Sequence, residues 1–498
     1  MIYLPILIPW MMAGWAYLVP SNRWRPWLLP LGALCHLGLV WLAVFFSGES
    51  LSGWNGWLRL DALAKLILGF QSLLFFLCSL YAPGYLRLRI DRPNRVFCAN
   101  LFALQATMTL AALSQHLGLM WVAMEAITLT SAPLLYFNRN ARSLEATWKY
   151  LLIGSVGIAM ALFGSFFLAY SSLRVDLPST LLFDQLMRDA GRLSPPWLHA
   201  AFVLLFIGYG TKMGLAPMHT WKPDAYGEAP GIVGTLLAGG VTSCAFLAIL
   251  RVYRICRAGP EAQFAQEVMV GMGLFSMAVA AVFLVRQRDF KRMLAYSSVE
   301  HMGILILGIG IGGLAIYGAL FHLIANGLTK GVLFLSAGNI HRAYGRKVTN
   351  ALTPGISPAA GEEGDDGVRG ALRRVPLSGA LFLAGFLAIT GSPPFGPFVG
   401  MFAILNGAVS SGQYVTAGVF LFLLALVFVA MGTTVLAVVQ GTPSSPKLKT
   451  SETRVVFSDS VATGAPLLIM MALVLLMAIY LPPPILSLLQ RAAASLTP

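Results

Sequence analysis

Residues 414–440 read YVTAGVFLFLLALVFVAMGTTVLAVVQ, a run of 27 residues without a charged side chain. As an α-helix, such a run is long enough to cross about 30 Å of hydrocarbon. Similar runs recur along the chain, which is 57% apolar and 11% charged, whereas a soluble domain carries about 25% charged residues. Because backbone groups in lipid must be hydrogen-bonded within their own segment, helices are expected. The sequence therefore predicts an all-α polytopic membrane protein.

The apolar runs divide the chain into about fourteen predicted transmembrane helices, here called spans and counted in chain order. Their approximate limits are 2–20, 27–47, 62–82, 96–114, 117–137, 147–171, 197–221, 231–250, 267–285, 293–311, 314–340, 376–406, 414–440 and 464–488. No basic segment precedes the first run and no small-residue cleavage pattern follows it, so we interpret it as a span rather than a cleaved signal.

The loops on alternate sides of these spans differ in charge. One set holds roughly 22 basic residues, Lys222 among them, and the other about 8. The positive-inside rule places the richer set in the cytoplasm, which puts both termini on the outer, periplasmic side of a cell inner membrane. The net charge of +14 then reflects topology, and we expect contact with lipid and not with nucleic acid. A Gly-, Pro- and acid-rich stretch at 348–375 is predicted to be a flexible cytoplasmic linker.

The cysteines do not indicate a cofactor. All five lie in or beside apolar runs and no two have a CxxC spacing: Cys35, Cys78, Cys98, Cys244 and Cys256. We interpret them as small buried residues. The sequence also shows no nucleotide-binding loop, metal-ligand cluster or nucleophile triad. We therefore expect no iron–sulfur cluster, haem or zinc, and no redox site within this chain.

Three ionisable residues lie near the middle of predicted spans: Glu125 in the fifth, Lys212 in the seventh and Lys330 in the eleventh. A charge at the bilayer centre costs at least about 2.5 kcal/mol, so such residues are commonly functional and face the protein interior. Glu125 and Lys212 could form a structural ion pair. They could instead form a proton relay, since desolvation favours a neutral amine and a nearby carboxylate favours the ammonium.

Further polar residues lie in the neighbouring spans. In the eleventh, His322, Asn326 and Lys330 follow at four-residue steps and share one helix face. Although an isolated core histidine is usually structural, this stripe favours a hydrated proton path. His301 in the tenth span adds an imidazole, which exchanges protons near neutral pH. In the eighth span, Ser243 is a further candidate for proton transfer.

Two spans are predicted to be broken. GLAP at 214–217 follows Lys212, and GSPPFGPF at 391–398 lies in the twelfth span. Proline removes a backbone donor and clashes within a helix. Each break could be an ordinary kink, but interrupted membrane helices commonly line cavities and mark ion sites.

The segment HTWKPDAYGEAP at 219–230 follows the first of these breaks. It contains His219, Asp224 and Glu228. These residues could guard a proton entrance, or the two carboxylates could simply be loop charges.

Two long motifs identify a family resemblance. DFKRMLAYSSVEHMG at 289–303 and KMGLAPMHTWKPDAYGEAP at 212–230 resemble signatures of the antiporter-like membrane subunits of complex I. That family includes Mrp-type cation/proton antiporters and membrane subunits of nickel–iron hydrogenases. SLEATWKYLLIGSVGIAMALFG at 143–164 most resembles the formate-hydrogenlyase type. The resemblance covers nearly the whole chain.

The resemblance implies roles for particular residues. Glu125 matches the family's fifth-helix glutamate and Lys212 its seventh-helix lysine, while His322 and Lys330 match polar residues of its eleventh helix. Relatives carry Lys or Glu just after the break in helix 12, where this chain has Met401.

A second departure lies in helix 8, where many relatives have a lysine. Here GGVTSCAFL at 239–247 offers only Thr242 and Ser243. The charged path that the family implies is therefore truncated after Lys330: either protons leave by another hydrated route, or this subunit does not complete a pump.

The resemblance also implies an architecture of fourteen helices with two inverted five-helix repeats, in which helices 7 and 12 are broken. It divides the chain into helices 1–3 (1–95), a first repeat of helices 4–8 (96–256), a second repeat of helices 9–13 (267–440) with the linker at 341–375, and a C-terminal helix (464–498).

Three functions remain open at this point. The chain could be a proton- or cation-translocating subunit of a redox-driven complex, a structural membrane-arm subunit that does not pump, or an Mrp-type sodium/proton antiporter subunit. The expected partners are other membrane subunits of a complex I-like or hydrogenase complex, which would carry the redox sites.

Overall fold

A computed structural model describes residues 2–46, 51–89, 92–345, 347–349, 367–441 and 457–497. Most of these residues are helical, which confirms the predicted class. The helices are α1 (Leu4–Leu18), α2 (Arg25–Phe46), α3 (Ala62–Arg87), α4 (Arg95–Leu113), α5 (Leu117–Leu135), α6 (Ala141–Leu173), α7 (Phe183–Arg188), α8 (Pro195–Met213), α9 (Trp221–Glu228), α10 (Gly231–Thr235), α11 (Thr242–Ala258), α12 (Ala262–Leu284), α13 (Phe290–Ile311), α14 (Leu314–Tyr344), α15 (Ala371–Arg374), α16 (Pro376–Ile389), α17 (Gly396–Ser410), α18 (Tyr414–Val439), α19 (Val461–Ile479) and α20 (Pro483–Ala494).

Eleven helices in these described ranges are long and apolar enough to cross a membrane, and α1, α16 and α17 are shorter apolar helices. The eleven include Gly231–Ala258, in which a π-helical turn, Leu236–Val241, joins α10 to α11. Most limits lie within a few residues of the predicted spans. The count of about fourteen crossings stays a prediction, because it also requires the short helices and the two-part α8–α9 to cross.

The core of the molecule lies around α13, α14 and Gly231–Ala258, whose most apolar stretches are almost completely buried. By contrast, only 33–39% of the most apolar stretches of α2, α6, α12 and α19 is buried, as expected for helices that face lipid. The long α14 packs against α13, α16, α17 and α19. Polar side chains on α13 and α14 are thus shielded by other helices, which is where ionisable residues of membrane proteins normally lie.

The seventh predicted span is interrupted as expected. α8 ends because Gly214 adopts a left-handed conformation (φ 79°), which glycine accepts without steric cost. The backbone groups freed at the break are hydrogen-bonded: the Trp221 indole donates to the Thr211 carbonyl (2.9 Å), and Ser276 of α12 accepts from the Ala216 N–H (3.1 Å). Interrupted helices in membranes require such partners.

The twelfth span is also interrupted. α16 ends at Ile389 and α17 begins at Gly396, and Gly391 between them has a positive φ of 78°. The structure therefore contains both predicted breaks, one beside the start of α9 and one against α14.

The C-terminal prediction of one span at 464–488 was wrong. α19 ends at Ile479, and a separate helix, α20, begins at Pro483. The three consecutive prolines at 482–484 explain the interruption, since proline cannot continue a helix that precedes it.

The loops contain small structured pieces that the sequence did not predict. Strands β1 (Leu51–Gly53) and β2 (Leu58–Leu60) form an antiparallel hairpin before α3. Of the predicted linker, residues 350–366 lie outside the described residues. At its described edge, the Val368 N–H donates to the Val348 carbonyl (2.9 Å).

Candidate functional site

Glu125 on α5 and Lys212 on α8 lie together. The Glu125 Oε2 atom is 3.5 Å from Lys212 Nζ. Lys212 occupies the last turn of α8, where unpaired carbonyls favour a cation. Its ammonium also contacts the Thr128 hydroxyl and lies 5.8 Å from the centre of the Tyr150 ring. The helix break and the carboxylate together stabilise a buried lysine.

The two partners differ in exposure. The Lys212 side chain is 1% exposed, whereas that of Glu125 is 23% exposed. The second Glu125 oxygen accepts a hydrogen bond from Ser155 (2.9 Å), an exposed residue of α6. Glu125 therefore connects the interior lysine with the outer surface of the helix bundle, with one carboxylate oxygen bound to each partner.

The polar stripe of α14 faces α13. His322, Asn326 and Lys330 are all buried. His322 Nε2 lies 3.1 Å from His301 Nδ1, and Lys330 Nζ donates to Ser297 Oγ at 2.8 Å. The structure thus brings together the predicted residues of the tenth and eleventh spans, in a cluster separate from the Glu125–Lys212 pair.

Sequence reasoning missed a carboxylate in this cluster. Glu300 on α13 is 2% exposed. Its Oε2 lies 3.9 Å from His301 Nε2, and its charge interacts with that of Lys330. The missed signal was available, because Glu300 lies inside the predicted tenth span, where a charge is as costly as in the fifth.

Several atoms of this cluster have no hydrogen-bond partner in the protein. Within the described residues, Glu300 Oε2, His301 Nε2, His322 Nδ1 and Asn326 Oδ1 are buried and accept or donate no hydrogen bond. Buried polar atoms are normally bonded to protein or to water. A cluster of four such atoms is polar enough to hold internal water, the medium that a proton path requires.

The assignment of Lys222 to a cytoplasmic loop was wrong. Lys222 lies on α9, is fully buried, and donates from Nζ to Ser298 Oγ at 3.2 Å. It is buried because α9, which follows the break after α8, packs against α13. A single lysine in a polar segment gives no sign of this in the sequence.

The two carboxylates of the predicted entrance are paired with basic residues other than Lys212, Lys222 and Lys330. Asp224 is bound by Lys149 Nζ (2.8 Å) and by Arg292, and Glu228 is bound by Lys347 Nζ (2.6 Å). Glu228 lies in the wall of a cavity of about 880 Å³. Basic residues dominate that wall: Arg89, Arg92, Arg142, Arg288, Arg292 and Lys347.

Three other residues singled out in the sequence form no hydrogen bond with Lys212 or Lys330 in the described structure. His219 is buried and packs near the rings of Phe283 and Tyr296. Ser243, just beyond the π-helical turn, accepts a hydrogen bond from Gln71 (2.9 Å). Met401 is buried on α17.

The break in the twelfth span nevertheless lies against the histidine pair. A Cβ atom on Gly400 would lie 2.7 Å from Cβ of His322. Met401 is the residue after Gly400, which contacts His322. The resemblance implies a charged side chain at the position of Met401. Among the described residues, no three His, Cys, Asp or Glu side chains are grouped to hold a metal ion.

The comparisons with known proteins agree with this architecture. Residues 114–428 match the family described as NADH:quinone oxidoreductase/Mrp antiporter, transmembrane. The hydrogenase-4 component F homolog of Methylacidiphilum infernorum is 33% identical over 431 residues, which cover 84% of this chain and 85% of that protein.

Two solved structures share the fold. A chain of the membrane-bound sulfane sulfur reductase, an archaeal respiratory membrane complex, superposes with a TM-score of 0.83 at 19% identity and covers 99% of this chain and 97% of its own. A chain of respiratory complex I from Thermus thermophilus superposes with a TM-score of 0.80 at 22% identity, with 100% of both chains covered.

Proposed function

The chain belongs to the NADH:quinone oxidoreductase/Mrp antiporter family, and we propose that it carries protons through its interior as a membrane subunit of a redox-driven complex. It is an antiporter-like subunit of the complex I and membrane-bound hydrogenase type, and its partners are other membrane subunits. Electron transfer belongs to those partners in this proposal.

The observation that carries the proposal is the Glu125–Lys212 pair at a helix break. A lysine that is 1% exposed is held at 3.5 Å by a carboxylate. That carboxylate has a second partner, Ser155, at 2.9 Å. While Glu125 contacts Lys212, the carboxylate favours the ammonium. In this proposal Glu125 releases Lys212 and keeps Ser155, and burial then favours the neutral amine, so the proton leaves.

The onward route in this proposal is the cluster between α13 and α14. Lys330 receives the proton, and His301 and His322 pass it toward the break at α17. These side chains are buried, lie within hydrogen-bonding distance of one another or of serine hydroxyls, and include atoms with free hydrogen-bonding capacity.

Lys212→Met in the assembled complex tests the function. Methionine keeps the length and apolar volume of the stem but cannot hold a proton. We expect electron transfer to persist and the number of protons translocated per electron to fall, measured with proteoliposomes and a pH-sensitive dye. Arg59→Gln, which removes a cation paired with Asp184 at the surface, is the control. An unchanged proton-to-electron ratio in the Lys212 variant would contradict the proposal.

A structural subunit that does not pump is the second candidate, and Met401 favours it. Residues 376–441 contain no charged side chain, so the route lacks the helix-12 charge that relatives carry. The same experiment separates the two functions, because a non-pumping subunit would tolerate Lys212→Met without a change in the ratio.

The orientation is also a proposal. The basic residues around the 880 Å³ cavity come from the loops that the positive-inside rule assigns to the cytoplasm. Both termini would then face the outer side of a cell inner membrane. A Ser495→Cys variant should react with a membrane-impermeant maleimide added outside intact cells, after removal of the outer membrane where there is one.

A further inference from the structure

Lys222 is the least expected charge in the molecule. It is 0% exposed. Within the described part of the chain, its amine donates a hydrogen bond to Ser298 Oγ at 3.2 Å and lies 5.7 Å from the centre of the Tyr226 ring. No carboxylate there forms an ion pair with it. A buried lysine without a counter-ion is costly, and methionine would fill the same space without that cost. Packing alone therefore does not explain a lysine at this position.

The position of Lys222 is set by the break after α8. Its side chain crosses Gly214, two residues beyond Lys212: a Cβ on Gly214 would lie 2.2 Å from Lys222 Cε and 2.8 Å from Nζ. The missing side chain of Gly214 thus makes room for the amine. Lys222 Nζ lies directly over the end of the helix that carries Lys212.

On its other side, Lys222 reaches the Lys330 cluster. Lys222 donates to Ser298 and Lys330 donates to Ser297, so the two amines bind the hydroxyls of consecutive residues of α13. The two charges repel each other. A proton on one amine therefore disfavours a proton on the other, as in any pair of close like charges.

Between Lys212 and Lys222 lies a row of aromatic side chains. Tyr150 lies under Lys212 and Tyr226 under Lys222, at 5.8 and 5.7 Å from the respective Nζ atoms. Trp221 is centred 5.0 Å from Tyr150 and 6.0 Å from Tyr226. This row links the Glu125–Lys212 pair to Lys222.

We propose that Lys222 is the relay residue between Lys212 and Lys330, and that it supplies from the broken seventh helix the interior amine that the eighth helix lacks. The proposal rests on the proposed function. A proton leaves Lys212 Nζ, arrives on neutral Lys222 Nζ through water or hydroxyl groups, and passes along Ser298 and Ser297 to neutral Lys330 Nζ. In each transfer an N–H bond of the donor amine breaks and one forms on the acceptor amine, each intervening hydroxyl or water gains one proton and releases another, and no electron moves.

Lys222→Met and Lys222→Arg in the assembled complex test this role, with Lys212→Met measured alongside. Arginine keeps the positive charge but does not release its proton. We therefore expect both Lys222 variants to lower the proton translocation rate at least tenfold at an unchanged amount of assembled complex. A structural need for positive charge predicts a different result, namely that arginine restores translocation and methionine does not.

The translocation rates of the Lys222 and Lys212 variants distinguish failure of the relay role from failure of the proposed function. If Lys222→Met translocates normally, or if Lys222→Arg does, the relay role is refuted. If Lys212→Met translocates normally, the proposed function itself fails; if only Lys222 proves dispensable, this inference alone fails. Should the Lys222 variants not assemble, Ser298→Ala decides instead, because it removes the hydroxyl partner of Lys222 and leaves the Ser297–Lys330 bond. It should lower the rate several-fold, and an unchanged rate overturns the proposal.

Discussion

Removal of the charges at Glu125 and Lys212, singly and together, should reveal a large coupling free energy. At 3.5 Å and an effective dielectric constant of about 20, the Coulomb attraction is about 5 kcal/mol. Because the Glu125 side chain is 23% exposed, solvent screens part of this attraction, and we expect a coupling of about 2–3 kcal/mol.

The two single variants should not be equally costly. Glu125→Gln leaves the buried Lys212 ammonium without a carboxylate, which costs about 3 kcal/mol. Lys212→Met leaves a carboxylate that still reaches solvent and Ser155, and should cost about 1 kcal/mol. The double variant should then lose clearly less than the sum of the two single losses.

The assay is reversible unfolding of the purified full chain in mixed micelles, with dodecyl sulfate as denaturant and circular dichroism as the signal. The exposed ion pair of Arg59 and Asp184, measured by the same cycle with Arg59→Gln and Asp184→Asn, is the control and should couple by less than about 1 kcal/mol. A Glu125–Lys212 coupling as small as the control, or a costlier Lys212→Met than Glu125→Gln, would refute the reasoning.

Two glycines and one carboxylate give further predictions. A Cβ on Gly154 would meet only the flexible end of Lys212, at 2.8 Å, so Gly154→Ala should change stability by less than about 1 kcal/mol yet slow proton translocation in proteoliposomes. A Cβ on Gly208 would meet the backbone of α6 at 2.6 Å, so Gly208→Ala should cost about 1–3 kcal/mol in the same unfolding assay. Burial raises the pKa of Asp61, but Arg251, the Ala64 N–H, Gln115 and Arg254 together lower it by more. The net pKa therefore lies below the usual value. The stability due to Asp61 should therefore be present above about pH 4 and be lost as the pH falls below it; Asp61→Asn should remove this acid-dependent loss, and a wild-type-like pH profile of the variant would contradict it.

The site residues that could be predicted were those whose energetic cost depends only on their own segment of the chain. Glu125, Lys212 and Lys330 each interrupt a long apolar run, and a charge in lipid is costly whatever its neighbours are. The same reasoning applies to Glu300, although it was not predicted, because the surrounding stretch YSSVEH at 296–301 is polar. Both helix breaks were predictable as well, since proline interrupts a helix by its own geometry.

The roles of the entrance residues could not be predicted in this way. Asp224 and Glu228 have partners from α6, α13 and the segment after α14. Those partners are 75, 68 and 119 residues away in the chain. Sequence spacing alone carries no information about such pairs, because they form only when distant helices pack.

By itself, the sequence determined that the chain is a bundle of membrane helices, which of them are broken, and that Glu125, Lys212 and Lys330 lie within the spans, because hydropathy, proline geometry and the cost of a charge in lipid act within one segment. Only the tertiary structure decided that Lys222 is an interior residue. Its burial depends on the left-handed conformation of Gly214 and on the packing of α9 against α13. A short polar segment has the same composition whether it packs within the bundle or remains in water.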